Sequence, residues 1–112
     1  MTTADTGLST QTVEAIQQLF MRFPAIEEAL LYGSRAKGNY RPGSDIDLTL
    51  RGEHLTYQDL LDIELALDDL LLPYKIDLSL HRHLDNPALI EHIDRVGRQF
   101  YCRPKETRTL KL

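Results

Sequence analysis

Three aspartates carry the chemistry that this sequence is equipped to do. Asp45 and Asp47 sit two apart in Asp45-Ile46-Asp47-Leu48-Thr49-Leu50, and Asp77 holds the matching place in Lys75-Ile76-Asp77-Leu78-Ser79-Leu80. Both stretches alternate apolar and polar residues, which is the pattern of a half-buried strand. Successive side chains on a strand face opposite ways, so Asp45, Asp47 and Thr49 share one face while Ile46, Leu48 and Leu50 share the other. If the two strands are neighbours over one core, Asp77 joins the first pair. At a separation of about 6–7 Å and an effective dielectric near 20, each ionised pair repels by about 2–3 kcal/mol. Shared protons, a nearby Lys or Arg, or a divalent metal would relieve that repulsion. All-oxygen donors suit a hard ion such as Mg²⁺, which keeps several waters and also takes substrate phosphates. The other reading of Asp-x-Asp on a strand is a solvated face charged for solubility. The third aspartate, and the segment before Asp45, favour a site.

That segment is an apolar run, Ala29 to Tyr32, stopped at Gly33-Ser34 and followed by Arg35-Ala36-Lys37, a candidate helical turn. Backbone N–H groups at such a corner form an anion site, and the Ser34 hydroxyl adds a donor. Glycine at 33 lets a phosphate approach the main chain. Arg35, Lys37 and Arg41 bring positive charge nearby. Gly33 and Gly38 have the P-loop spacing, but Asn39 and Tyr40 stand where Lys and Ser/Thr are required, so that motif fails. An EF-hand loop from Asp45 fails as well, because Leu50 stands where its glycine should be.

The elements that must position these residues read off the rest of the chain. The 112 residues predict a single α/β (α+β) domain, with the ends 1–8 and 104–112 loose. Ser9 or Thr10 caps a helix carrying Val13, Ile16, Leu19 and Phe20, which Pro24 closes. Thr56 to Leu72 is the longest helix, with Leu60, Ile63, Leu67 and Leu70 inward and Asp59, Asp62, Asp68 and Asp69 on its wet face. Asn86-Pro87 opens another helix and Gly97 stops it; Gln99 to Cys102 makes a last short strand. This order predicts a small mixed sheet with helices packed mainly on one side. The formal net charge of −4 argues against nucleic-acid binding through bulk charge. One cysteine, Cys102, allows no internal disulfide, and no apolar run is long enough to span a bilayer. A cytoplasmic protein without membrane contact is expected. His81 and His83 lack zinc-ligand spacing and read as surface residues. Tyr40 and Tyr57 read as packing or loop anchors, Cys102 as a buried, inert thiol, and the basic tail as disordered.

The run Tyr-Gly-Ser-Arg-Ala-Lys-Gly-Asn-Tyr-Arg-Pro-Gly-Ser-Asp-Ile-Asp-Leu, from Tyr32 to Leu48, with Ile76-Asp77-Leu78 further on, resembles the polymerase-β-like nucleotidyltransferases. It is most similar to their minimal members, the MntA-type antitoxins encoded beside HEPN-domain toxins. That resemblance implies two Mg²⁺ ions held by Asp45, Asp47 and Asp77, with Asp77 also positioning or deprotonating an attacking hydroxyl. It implies ATP as substrate, its triphosphate gripped by Gly33 and Ser34 with help from Arg35, Lys37 and Arg41. It further implies transfer of AMP to a tyrosine of a cognate HEPN RNase toxin in a hetero-oligomer, with no direct contact to nucleic acid. Neutralisation by occlusion, without chemistry, is the alternative, as is nucleotidyl transfer to RNA or a small molecule.

Overall fold

The computed structural model describes residues 6–104. The main chain runs α1 (Thr10–Met21), β1 (Glu28–Tyr32), α2 (Gly33–Lys37), β2 (Ile46–Arg51), α3 (Tyr57–Asp69), β3 (Ile76–Leu80), a 3-10 turn (His81–His83), α4 (Pro87–Val96) and β4 (Arg98–Cys102). The strands form one sheet in the order β3-β2-β1-β4. β1 runs antiparallel to β2 and β4, whereas β2 and β3 are parallel, a pairing that needs a long crossover and receives it from α3.

Local chemistry sets the helix starts. The Ser9 hydroxyl accepts from Thr12 N–H, and Asn86 Oδ1 accepts from Ala88 and Leu89 N–H ahead of Pro87. Thr56 and Asp59 close a reciprocal capping box on α3. That helix ends earlier than its apolar periodicity suggests: Leu70 caps it and Leu71 turns left-handed at φ 54°, so the expected reach to Leu72 is not attained.

The apolar strand faces meet α1 and α3. Ile16 and Phe20 of α1, Ile63 and Leu67 of α3, and Leu31, Leu48 and Leu50 of the sheet form one buried cluster. Burying each such side chain contributes about 1.5–3 kcal/mol. Phe20 lies edge-on to Phe100 and Tyr101, with centroids 6.5 and 5.7 Å apart. α4 is the exception to the one-sided packing, since it leans on β1 and α2 from the other face of the sheet.

Two expectations are corrected. The N-terminal end, expected to be loose through residue 8, is anchored from Thr6 onward: Thr6 and Leu8 are buried, and Leu8 joins the core. Cys102, read as buried, is exposed, because strand parity sends Tyr101 inward and Cys102 outward on the sheet's edge strand. Residues 1–5 and the tail 105–112 lie outside the described residues. Among the described residues, no helix is long and apolar enough to cross a membrane.

Candidate active site

Asp47 and Asp77 are register partners on the parallel strands β2 and β3, and Tyr32 of β1 pairs with Asp47 from the other side. Laterally paired residues point to the same face, so Tyr32, Asp47 and Asp77 make one row across three strands. Leu30, Thr49 and Ser79 form the next row. In it, Ser79 Oγ donates to Thr49 Oγ1 at 2.9 Å, and Thr49 Oγ1 reaches Ser79 O at 3.5 Å, so the hydroxyls satisfy one another beneath the carboxylates. Asp45 immediately precedes β2, is exposed, and lies close enough to act on Asp47.

The electrostatics record that crowding. Burial raises the pKa of Asp47 above the ordinary carboxylate range, and the charges of Asp77 and then Asp45 raise it further. The Tyr32 hydroxyl is also raised, chiefly by burial; a hydrogen bond with Ser79 opposes the rise, while Asp77 and Asp47 add to it. Tyr32 therefore presents a protonated phenol beside two carboxylates at neutral pH.

The glycine-serine corner stands against this row. Gly33 adopts φ 75°, in the left-handed region, and a Cβ there would overlap Asp47 Oδ2. Only glycine lets the main chain turn so close to that carboxylate. Ser34 follows in α2, whose short run ends at Gly38 with φ 90° and its N–H returned to Ser34 O. Gly33 N–H donates to His92 Nε2 at 3.1 Å, which requires the His92 proton to sit on Nδ1. The His92 ring also meets Tyr32 edge-on, at 6.2 Å between centroids. His92 was absent from the sequence reading. It comes from α4, 59 residues away from Gly33, and no local motif marks it.

The basic residues separate. Arg35 is 1% exposed and belongs to the scaffold. Its Nη1 donates to Thr6 O at 2.7 Å, its Nη2 to Pro42 O and Ser44 O at 3.1 and 3.0 Å, and its Nε to Ser44 O at 3.1 Å. Tyr40 and Tyr74 flank the guanidinium at 5.2 and 5.0 Å. With these donors engaged inside the fold, Arg35 does not present its charge to a phosphate, contrary to expectation. Lys37 and Arg41 are exposed, and Arg41 N–H donates to Ser44 Oγ at 2.8 Å. His81, which was read as a surface residue, is half-buried, and burial followed by the Arg51 charge lowers its pKa.

The donor set fits a hard divalent cation: it offers carboxylate oxygens, and burial, followed by the charges of Asp77 and Asp45, raises the pKa of Asp47. Among the described residues, no group of three or more His, Cys, Asp and Glu is placed so that it could hold a metal ion by itself. Mg²⁺ does not need one, because it takes one or two carboxylates and fills its shell with water and substrate phosphate.

Comparison with known proteins bears on the family and the fold. Residues 14–106 match the family model described as "Polymerase beta, Nucleotidyltransferase". A solved structure of a candidate minimal nucleotidyltransferase is 31% identical, with a TM-score of 0.61 over 79% of this chain and 88% of that one. A toxin-antitoxin structure with AMP-PNP has 22% identity and a TM-score of 0.65, covering 81% of this chain and 73% of that one. The complex of a tri-AMPylated HEPN toxin with its MNT antitoxin from Shewanella oneidensis has 18% identity and a TM-score of 0.62, over 86% and 74%. At those identities, the last two show a shared fold. No curated protein sequence matches the chain. The family match spans most of the chain, and with it the paired strands and the glycine-serine corner; the chain belongs to the polymerase beta nucleotidyltransferase family.

Proposed function

We propose that this protein is an antitoxin that transfers AMP from ATP to a tyrosine hydroxyl of a cytoplasmic HEPN-domain toxin and so neutralises it. The observation that carries the chemistry is the Asp47–Asp77 pair, held side by side with Asp45 near and Gly33 against Asp47. The choice of acceptor draws on the fold shared with the complex whose HEPN toxin is AMPylated.

Asp45, Asp47 and Asp77 would hold Mg²⁺, two ions in the full site. When bound, the metal would supply charge neutralisation on the phosphoryl oxygens. Asp77, the more open of the register pair, orients the acceptor hydroxyl and takes its proton. The hydroxyl oxygen bonds to the α-phosphorus as the bond from that phosphorus to the β-bridging oxygen breaks, and pyrophosphate leaves. Ser34 meets the triphosphate beside Gly33, whose own N–H is held by His92, while Lys37 and Arg41 face its outer charge from exposed positions.

Incubation with α-labelled ATP, Mg²⁺ and purified HEPN toxin tests this reading. Label on a toxin tyrosine, lost on adding chelator, is the expected result. A tight complex without label would replace chemistry with occlusion, and label on RNA or a small molecule would move the acceptor elsewhere.

His92 gives a finer test of the corner. His92→Phe keeps the edge-on ring but removes the acceptor for Gly33 N–H, whereas His92→Gln restores one. A neutral hydrogen bond contributes about 0.5–1.5 kcal/mol, so His92→Phe should raise KM for ATP by about two- to twelvefold. His92→Gln should recover most of that loss. Equal KM values for the Phe variant and the unmodified protein would show that the corner does not depend on His92.

A further inference from the structure

We propose that the outer face of α3, with the cavity at its C-terminal end, is a docking surface for a basic amphipathic helix of a partner protein. Tyr57, Leu61 and Leu65 recur every four residues and are 63, 36 and 65% exposed, so they form one stripe turned away from the core. Beyond the helix, Leu71 is 88% exposed at φ 54°. A branched side chain held in the left-handed region costs about 1–3 kcal/mol, and within this chain it gains no burial in return. Single exposed leucines are ordinary on protein surfaces; an aligned run that ends at a cavity is not.

That cavity, of about 470 Å³, opens between the end of α3 and the start of β3, with Leu71, Leu72, Tyr74 and Ile76 among its walls. It is large enough to take one or two aliphatic side chains of a helix laid along the stripe, anchored at helical spacing.

Charge selects the occupant. Asp62, Glu64, Asp68 and Asp69 border the stripe, and the cavity adds Lys75 alone in opposition. Two copies of this chain joined face to face would set these carboxylates against each other, so self-association is disfavoured. A helix with an apolar spine and Lys or Arg flanks matches both features. Its place also matters, because the cavity wall continues into β3 at Ile76, next to Asp77. A partner seated there is held at the edge strand bearing that aspartate, on the face opposite to its carboxylate. The docking surface stands on exposure, cavity and charge, and does not require the AMP-transfer reading.

The test uses a fluorescent 18-residue peptide with a leucine spine at helical spacing and lysine elsewhere, against the same spine with glutamate. The lysine peptide should bind at least about tenfold more tightly, a difference of about 1.4 kcal/mol. Its amide shift changes should fall between Tyr57 and Ile76. The double variant Leu61→Ser, Leu65→Ser should weaken binding about tenfold or more with the unfolding midpoint retained, since both positions are solvent-facing. Asp47→Asn should bind the peptide unchanged whether or not transfer chemistry exists, which separates failure here from failure of the proposed function. Equal affinity for the glutamate peptide, shifts centred on α4 or β4, or full affinity in the double serine variant would each overturn the docking surface.

Discussion

Asp47→Asn should reduce nucleotidyl transfer by at least about a thousandfold, equivalent to roughly 4 kcal/mol of lost charge stabilisation. The same change should slightly stabilise the metal-free fold. Asp47 is half-buried beside Asp77 and Asp45, and burial first, then those two charges, raise its pKa. The folded chain therefore holds this proton more tightly than the unfolded chain does. The sign follows: the contribution of Asp47 is most favourable below the usual carboxylate range and is lost as pH rises through that range to the raised folded value. At neutral pH the ionised side chain is a net cost, which an amide of nearly equal size removes. Solvent access limits the gain to about 1 kcal/mol or less. Urea titration in chelator at pH 7, alongside the labelled-ATP assay, reads both effects. Opposite signs on activity and stability identify a group kept for chemistry. A lower unfolding midpoint, or unchanged transfer, would instead make Asp47 a structural residue.

The carboxylate row was legible because strand alternation is a local property with a period of two. Once Asp45-to-Leu50 and Lys75-to-Leu80 lay side by side with their apolar residues on one core, Asp77 had to share a face with Asp45 and Asp47; the register that sets it opposite Asp47 comes from the fold. The caps at Ser9, Thr56 and Asn86 were equally local, each set by a side chain reaching two or three residues along. What escaped the sequence was non-local. Arg35 sits in a turn-rich basic stretch and reads as a phosphate cation; its burial is decided by Thr6, Pro42, Ser44 and Tyr74, which only the fold assembles. His92 meets Gly33 because α4 crosses behind β1, and nothing around His92 encodes that meeting. Cys102 misled through composition: free cysteine is commonly buried, but its parity on an edge strand turns it outward.

Arg35→Ala is expected to be the most destabilising single change near the site, at about 3 kcal/mol or more. The guanidinium satisfies the carbonyls of Thr6, Pro42 and Ser44 and lies between the Tyr40 and Tyr74 rings. Hydrogen bonds from a charged donor contribute about 1.5–3 kcal/mol each, less where water reaches the exposed Pro42 and half-buried Ser44, and the cation–π contacts are lost as well. Domains of this kind have a total stability of about 5–15 kcal/mol, so the loss is a large share. Arg35→Lys should fall between, because a single ammonium keeps the charge but lacks the planar fork that reaches all three acceptors. Lys37→Ala, at an exposed position two residues on, should change stability by no more than about 0.5 kcal/mol. Because Arg35 ties the N-terminal segment to the Pro42–Ser44 turn just before Asp45, its loss should also loosen the approach to β2. Amide exchange at Ser44 to Asp47 should accelerate in Arg35→Lys well before global unfolding. An Arg35→Ala protein with an unchanged urea midpoint and a raised KM for ATP would return this residue to the phosphate site.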